Sequence, residues 1–144
     1  MAARPRPSCA ERMGIYASWA AQIGNLSRGQ APPLPANLLL ALHYAPGPTF
    51  AGPGTTEVSG NGYLKKPITM AVDPTGLLLV STIDVLFDPA IPNAWGPIPY
   101  VSLVDGAAGG GVGWMYYGPL KIPKNVGIKD RLHFAAGTVV LEFR

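Results

Sequence analysis

Residues 55–70, TTEVSGNGYLKKPITM, constrain the fold of this chain more than any other stretch. Apolar runs of strand length flank it on both sides. Inside it, Ser59-Gly60-Asn61-Gly62 imposes a reversal, because Gly and Asn accept positive φ cheaply and Asn-Gly is a strong tight-turn pair. Lys65, Lys66 and Pro67 leave the turn on the following strand. Pro removes a ladder donor and Lys resists desolvation, so these three residues predict an exposed edge of a sheet.

The rest of the chain repeats this logic. Residues 37–44, NLLLALHY, form a continuous apolar run of strand length, which predicts a strand buried on both faces. Further strands are predicted at 62–72, 77–87 (LLLVSTIDVLF), 100–105 and 112–117, with a closing hairpin of 131–134 and 138–143. In the second half of 77–87 the pattern alternates, with Ile83, Val85 and Phe87 on one face and Thr82, Asp84 and Leu86 on the other. Gly- and Pro-rich segments separate the runs: 45–54, 74–76, 88–99, 106–111 and 119–127. In the long 88–99 loop, Trp95 is the anchor that packs the loop through its own side chains. From residue 11 to 26, Tyr16, Trp19, Ile23 and Leu26 recur in steps of three and four, which predicts one short helix. Gly14 and Gly24 weaken it, so its stripe must be buried against the β core or a neighbouring chain. The expectation is a mainly β chain: an antiparallel, jelly-roll-like β-sandwich of seven or eight short strands with one N-terminal helix. Residues 1–35 form a basic arm, helix and Pro-rich linker, and 36–144 the β-sandwich domain.

Charge divides the chain in the same place. Residues 1–28 hold Arg4, Arg6, Arg12 and Arg28 against Glu11, and the remaining residues balance to zero, within a total of +3. Such an arm is either a flexible solvated terminus or an extension that reaches an acidic partner surface or nucleic acid. Only 13% of residues are charged, well under the usual one in four, while Gly and Pro together make 34 of 144. Long Gly/Pro connections cannot all be core, which favours surface buried against other chains. Cys9 is the one cysteine, so no intramolecular disulfide forms. No apolar run approaches the ~20 residues of a membrane span, and no secretory signal is visible.

The search for chemistry returns no site. His43 and His133 each sit mid-strand as core or cross-strand polar residues, far from any metal-ligand spacing, so no metal and no cofactor is expected. No nucleophile elbow or phosphate-binding glycine pattern is present. Asp84 and Asp88 are the one near pair of carboxylates, and both lie where a strand runs into a turn, with Pro89 following. Trp95, Trp114, Tyr116 and Tyr117 could stack on a sugar or base, or pack loops and core. No RNA-binding signature accompanies them, and no specific nucleic-acid or membrane partner is expected.

Residues 37–144 resemble a family of small tailed-bacteriophage virion structural proteins, often labelled tail-fibre proteins. The resemblance rests on NLLLALHY, then GTTEVSGNGYLKKPITM (54–70), then STIDVLFDPAIPNAWGPIPYVSLVDGAAGG (81–110) and MYYGPLKIPKNVGIKDRLHFAAGTVVLEF (115–143). Asn61 stands where the family usually has Gly, and the Pro-rich 88–99 loop and basic arm are features of this chain. The resemblance implies a non-enzymatic virion component with a β-sandwich body, assembled as a homotrimer. The first expectation is a capsid decoration (cement) protein on the capsid surface, made in the host cytoplasm. Its partners would be the major capsid protein and its own copies. Arg4, Arg6, Arg12, Tyr16, Trp19 and Ile23 would then clamp capsid or sister subunits. The alternative is a tail or neck fibre module whose loops 88–99 and 106–113 bind a host receptor. More remote, on the aromatics alone, is a carbohydrate-binding domain.

Overall fold

The computed structural model describes residues 14–29, 37–72, 74, 78–106 and 113–142. Arg4, Arg6, Arg12 and Cys9, the 30–35 linker and nearly all of the 106–111 turn lie outside the described residues. The chain is mainly β, with antiparallel pairing throughout and a sandwich-like arrangement of unequal layers. The larger layer is a five-stranded sheet in the order β1 (Gly14–Ile15), β8 (Gly113–Val126), β7 (Gly96–Asp105), β2 (Leu38–His43), β3 (Lys66–Pro67). Opposite it lie a three-stranded sheet, β10 (Val140–Glu142), β5 (Leu78–Ser81), β4 (Met70–Val72), and the pair β6 (Val85–Leu86) and β9 (His133–Phe134).

The strand β2 is where the apolar run predicts it. Its residues from Leu40 to His43 are fully buried, with Leu40 and Leu42 turned into the core and Ala41 and His43 to the other face. The core is filled from both layers, by Ile98, Val101 and Leu103 of β7 and by Val85, Phe87, Phe134 and Leu141 opposite. Trp95 belongs to this core at 4% exposure, packed edge-on against Tyr63 and Phe87.

Several expected strands divide where the chain changes layer. Residues 62–72 split into β3 and β4, because buried Ile68 turns the chain from the large sheet to the small one. Residues 77–87 split into β5 and β6, so Ile83 is exposed although Val85 and Phe87 are buried. The predicted closing hairpin does not form: β9 pairs with β6 and β10 with β5. The intervening turn instead straddles Ser81, whose carbonyl accepts from Gly137 N and whose Oγ accepts from Gly137 N and Val139 N.

Two predicted loops end sooner than composition suggests. β7 begins at Gly96 and β8 continues to Val126, in spite of Pro97, Pro99, Pro119 and Pro123. Beyond Tyr117, β8 has β7 on one side only, so a missing N–H costs little there. Between the pairs Ile98–Lys124 and Tyr100–Pro119 the register slips, leaving Leu120, Lys121, Ile122 and Pro123 bulged out of the ladder opposite Pro99.

The helix α1 spans Ala17–Leu26, not 11–26. Residues 14 and 15 are extended, because β1 pairs Gly14 with Tyr117 and Ile15 with Tyr116. Only glycine fits at 14: a Cβ there would lie 2.3 Å from Tyr117 Cζ.

Candidate functional site

The described residues present three surfaces or clusters that could carry a role: the N-terminal dock, the β3 edge and a loop-bearing end of the sandwich.

At the dock, Tyr16 leaves β1 and enters the protein, donating its backbone N–H to Met115 O while Ala17 N donates to Phe50 O. Its ring is 1% exposed and packs on Trp114 and Tyr117. A polar chain follows: Tyr16 Oη to Ser102 Oγ at 2.7 Å, Ser102 Oγ to His43 Nε2 at 2.6 Å, and His43 Nδ1 to Thr56 Oγ1 at 3.1 Å. Thr56 Oγ1 in turn donates to Pro53 O at 2.9 Å, which uses its one hydroxyl proton. Thr56 therefore accepts from His43 Nδ1–H, His43 Nε2 accepts from Ser102, and Ser102 accepts from Tyr16. Every proton has one place. Burial, and then the nearby charge of Lys65, push His43 down to about 4, so the ring is neutral as this arrangement requires. Burial pushes the Tyr16 phenol up to about 12, outweighing its bond to Ser102.

A Ser–His contact of 2.6 Å invites comparison with a nucleophile and its base. Here both side chains are 0% exposed, and the far nitrogen of the ring meets a threonine hydroxyl instead of a carboxylate. The pair holds Tyr16 in place; no reacting atom can approach Ser102 Oγ.

The structure separates the residues of the predicted stripe. Tyr16 goes to the Ser102 side of the sheet, whereas Trp19 and Ile23 pack with Met115, Ile15 and Leu38. Tyr16 and Trp19 are thus buried and Ile23 half-buried within their own subunit, and Trp19 Nε1 is buried without a partner among the described residues. Of the predicted clamp, Arg4, Arg6 and Arg12 lie outside the described residues.

Lys66 and Pro67 form the last strand of the large sheet. The lysines are engaged: Lys65 Nζ lies 3.2 Å from Glu57 Oε2 and 5.4 Å from the centre of the Trp114 ring. Lys66 Nζ donates to Asp88 Oδ2 at 2.8 Å, which holds that carboxyl below its ordinary range. Tyr63 ties the same region inward, accepting from Leu42 N and donating to Glu57. Asp84, the other member of the near carboxylate pair, takes Ala136 N and stands 3.4 Å from His133 Nε2, so the two acids serve separate contacts. Trp114 has Lys65 over its face and Tyr16 and His43 beside it, and Trp95 is core, so neither offers a free ring face.

The loop-bearing end is organised by Asn61, at φ 52° in the Gly60–Gly62 turn. Its carbonyl accepts from Ile91 N and from Trp95 Nε1 at 2.9 Å, and its side chain meets Asn93. Lys129 N donates to Ala90 O, and Ala90 N donates to Asp130 O. Three loops are thereby fastened together, and they expose Ile91 and Ile128 at their surface. The sequence signalled the turn and Trp95 but gave no sign that 127–130 joins them.

Among the described residues there is no group of three His, Cys, Asp or Glu side chains placed to hold a metal, and no helix long and apolar enough to cross a membrane. Residues 14–142 match the family model for podophage GP4 fiber I protein gp80. No curated protein matches the chain.

Proposed function

The chain belongs to the family of podophage GP4 fiber I protein gp80, and on that premise we propose that it is a fibre module of the virion that meets the host through the loop-bearing end of its sandwich. Family membership makes it a structural protein of a bacteriophage virion. The observation that carries the fibre reading is the extent of the match, from β1 to β10. The loop end supports it: Asn61, Trp95 and the backbone of Ala90 fasten three loops together, so Ile91 and Ile128 are exposed on a rigid support. Pre-organised loops lose little conformational entropy on binding, which favours a recognition surface.

In this reading the module works as a homotrimer whose copies engage a receptor together, so modest contacts per subunit suffice. Capsid decoration is the second reading. What favours it is the neutral, charge-poor body with a separate basic arm, which suits a chain that spreads over neighbouring subunits.

Gold-labelled antibody against the chain, imaged on intact particles, tests the choice. Label confined to the tail or neck is the expected result, and label spread over the capsid overturns it. Light scattering should give three times the 15.1 kDa chain mass.

A further inference from the structure

A cleft of about 340 Å³ opens between β8 and β9. One wall is the β8 bulge and the other is β9 with the turn that follows it. Leu120 and Phe134 make its floor, and Ile122 stands at its lip, 70% exposed. Lys121 and Lys124 line it from one side, His133 and Thr138 from the other.

Three features set this cleft apart from ordinary surface. The first is the bulge, four residues pushed out of the ladder where the other register shift of the pair, at Met115, displaces one, a device that re-aims side chains. The second is charge. Lys65 and Lys66 are each paired with a carboxylate, whereas Lys121 and Lys124 have no acidic partner among the described residues. Asp84, the carboxylate beside His133, is taken by His133 and Ala136 N. The third is the exposed apolar surface of Ile122 between those two lysines. An anion with an apolar flank answers all three. An extended peptide does not, because the bulge and the missing N–H groups of Pro119 and Pro123 deny it a regular strand to pair with.

We propose that the cleft between the β8 bulge and β9 binds an acidic saccharide, with the sugar's carboxylate held by Lys121 and Lys124 and the apolar face of its ring against Ile122. Thr138 Oγ1 already donates to Ala135 O, so it offers a lone pair to a sugar hydroxyl. The assignment rests on the fibre reading, since it names the chemical class of a host-surface ligand.

The test is calorimetric titration of the full chain with tri-galacturonate, with its neutral methyl ester, and with inorganic phosphate as competitor. The acid should bind in the millimolar range or tighter, the ester should not, and added salt should weaken binding. The double variant Lys121→Gln, Lys124→Gln should bind about tenfold more weakly while keeping the wild-type melting temperature, because both side chains lie at the surface. Equal binding of acid and ester, equal binding by the variant, or displacement by equimolar phosphate overturns the proposal. A failed titration with label still confined to the tail removes the ligand and leaves the fibre; label over the capsid removes the fibre whatever the titration gives.

Discussion

At the scale of single residues, Ser102 is the hinge of the buried polar chain. Replacing it by Ala leaves the Tyr16 hydroxyl without its acceptor and His43 Nε2 without its donor, both deep in the protein. Ser102→Ala should therefore cost about 1–3 kcal/mol in urea unfolding, more than the loss of one ordinary hydrogen bond. His43 adds a dependence on pH. Its folded pKa of about 4 lies below the ordinary 6.5, so the unfolded chain takes up a proton before the folded one does. Stability is then full above pH 6.5 and falls as the pH drops towards 4, by up to about 3 kcal/mol. Asp84 and Asp88, held below 3.8, contribute stability that is lost only under more acidic conditions, so the two effects occupy different windows. Unfolding midpoints measured from pH 7 to 4 should slope for the wild type and flatten for His43→Gln. That His43 would be core was legible in NLLLALHY. Its partners were not, because Tyr16 lies 86 residues from Ser102 and no local pattern joins them.

At the scale of elements, glycine and proline marked the breaks well but did not say what lay between them. The 59–62 turn was legible because its residues demand positive φ. The helix start was not: the steps of three and four begin at Tyr16, but the expected helix reached back to residue 11 across Gly14, which pairing with Tyr117 holds extended. Gly14→Val should undo that contact, since its Cβ would lie 2.3 Å from Tyr117 Cζ. Hydrogen exchange over 14–26 should rise sharply while β2 and β7 stay protected. The loop end makes a second prediction. Trp95→Ala removes a core ring and the bond to Asn61 O together, and should destabilise by about 3–5 kcal/mol on melting. Trp95→Phe should recover most of the packing and still loosen the 60–64 turn.

At the scale of the whole molecule, deletion of the N-terminal segment separates arm from dock. Removing residues 1–13 leaves Tyr16 in its socket, and the melting temperature should be unchanged. Removing 1–28 also uncovers Ser102, Met115 and Tyr117, so it should lower the melting temperature and promote aggregation. Loss of capsid or host binding in the longer deletion would thus report damage to the fold as well as loss of contacts. The fold class was legible because strand-length apolar runs between turn signals leave few alternatives. The layer changes at Ile68 and at 82–84, and the strand partners of β9 and β10, depend on contacts between distant segments that spacing does not encode.

The pairing of Gly14 with Tyr117 also has a consequence in time. A ribosome delivers the first strand about 100 residues before its partner, on the order of 5–20 s at ordinary elongation rates. Through that interval Tyr16 and Trp19 have no socket to enter. The nascent chain must keep two aromatic rings from wrong company until the hairpin of β7 and β8 has been made. The helix α1 is among the last pieces to find its place.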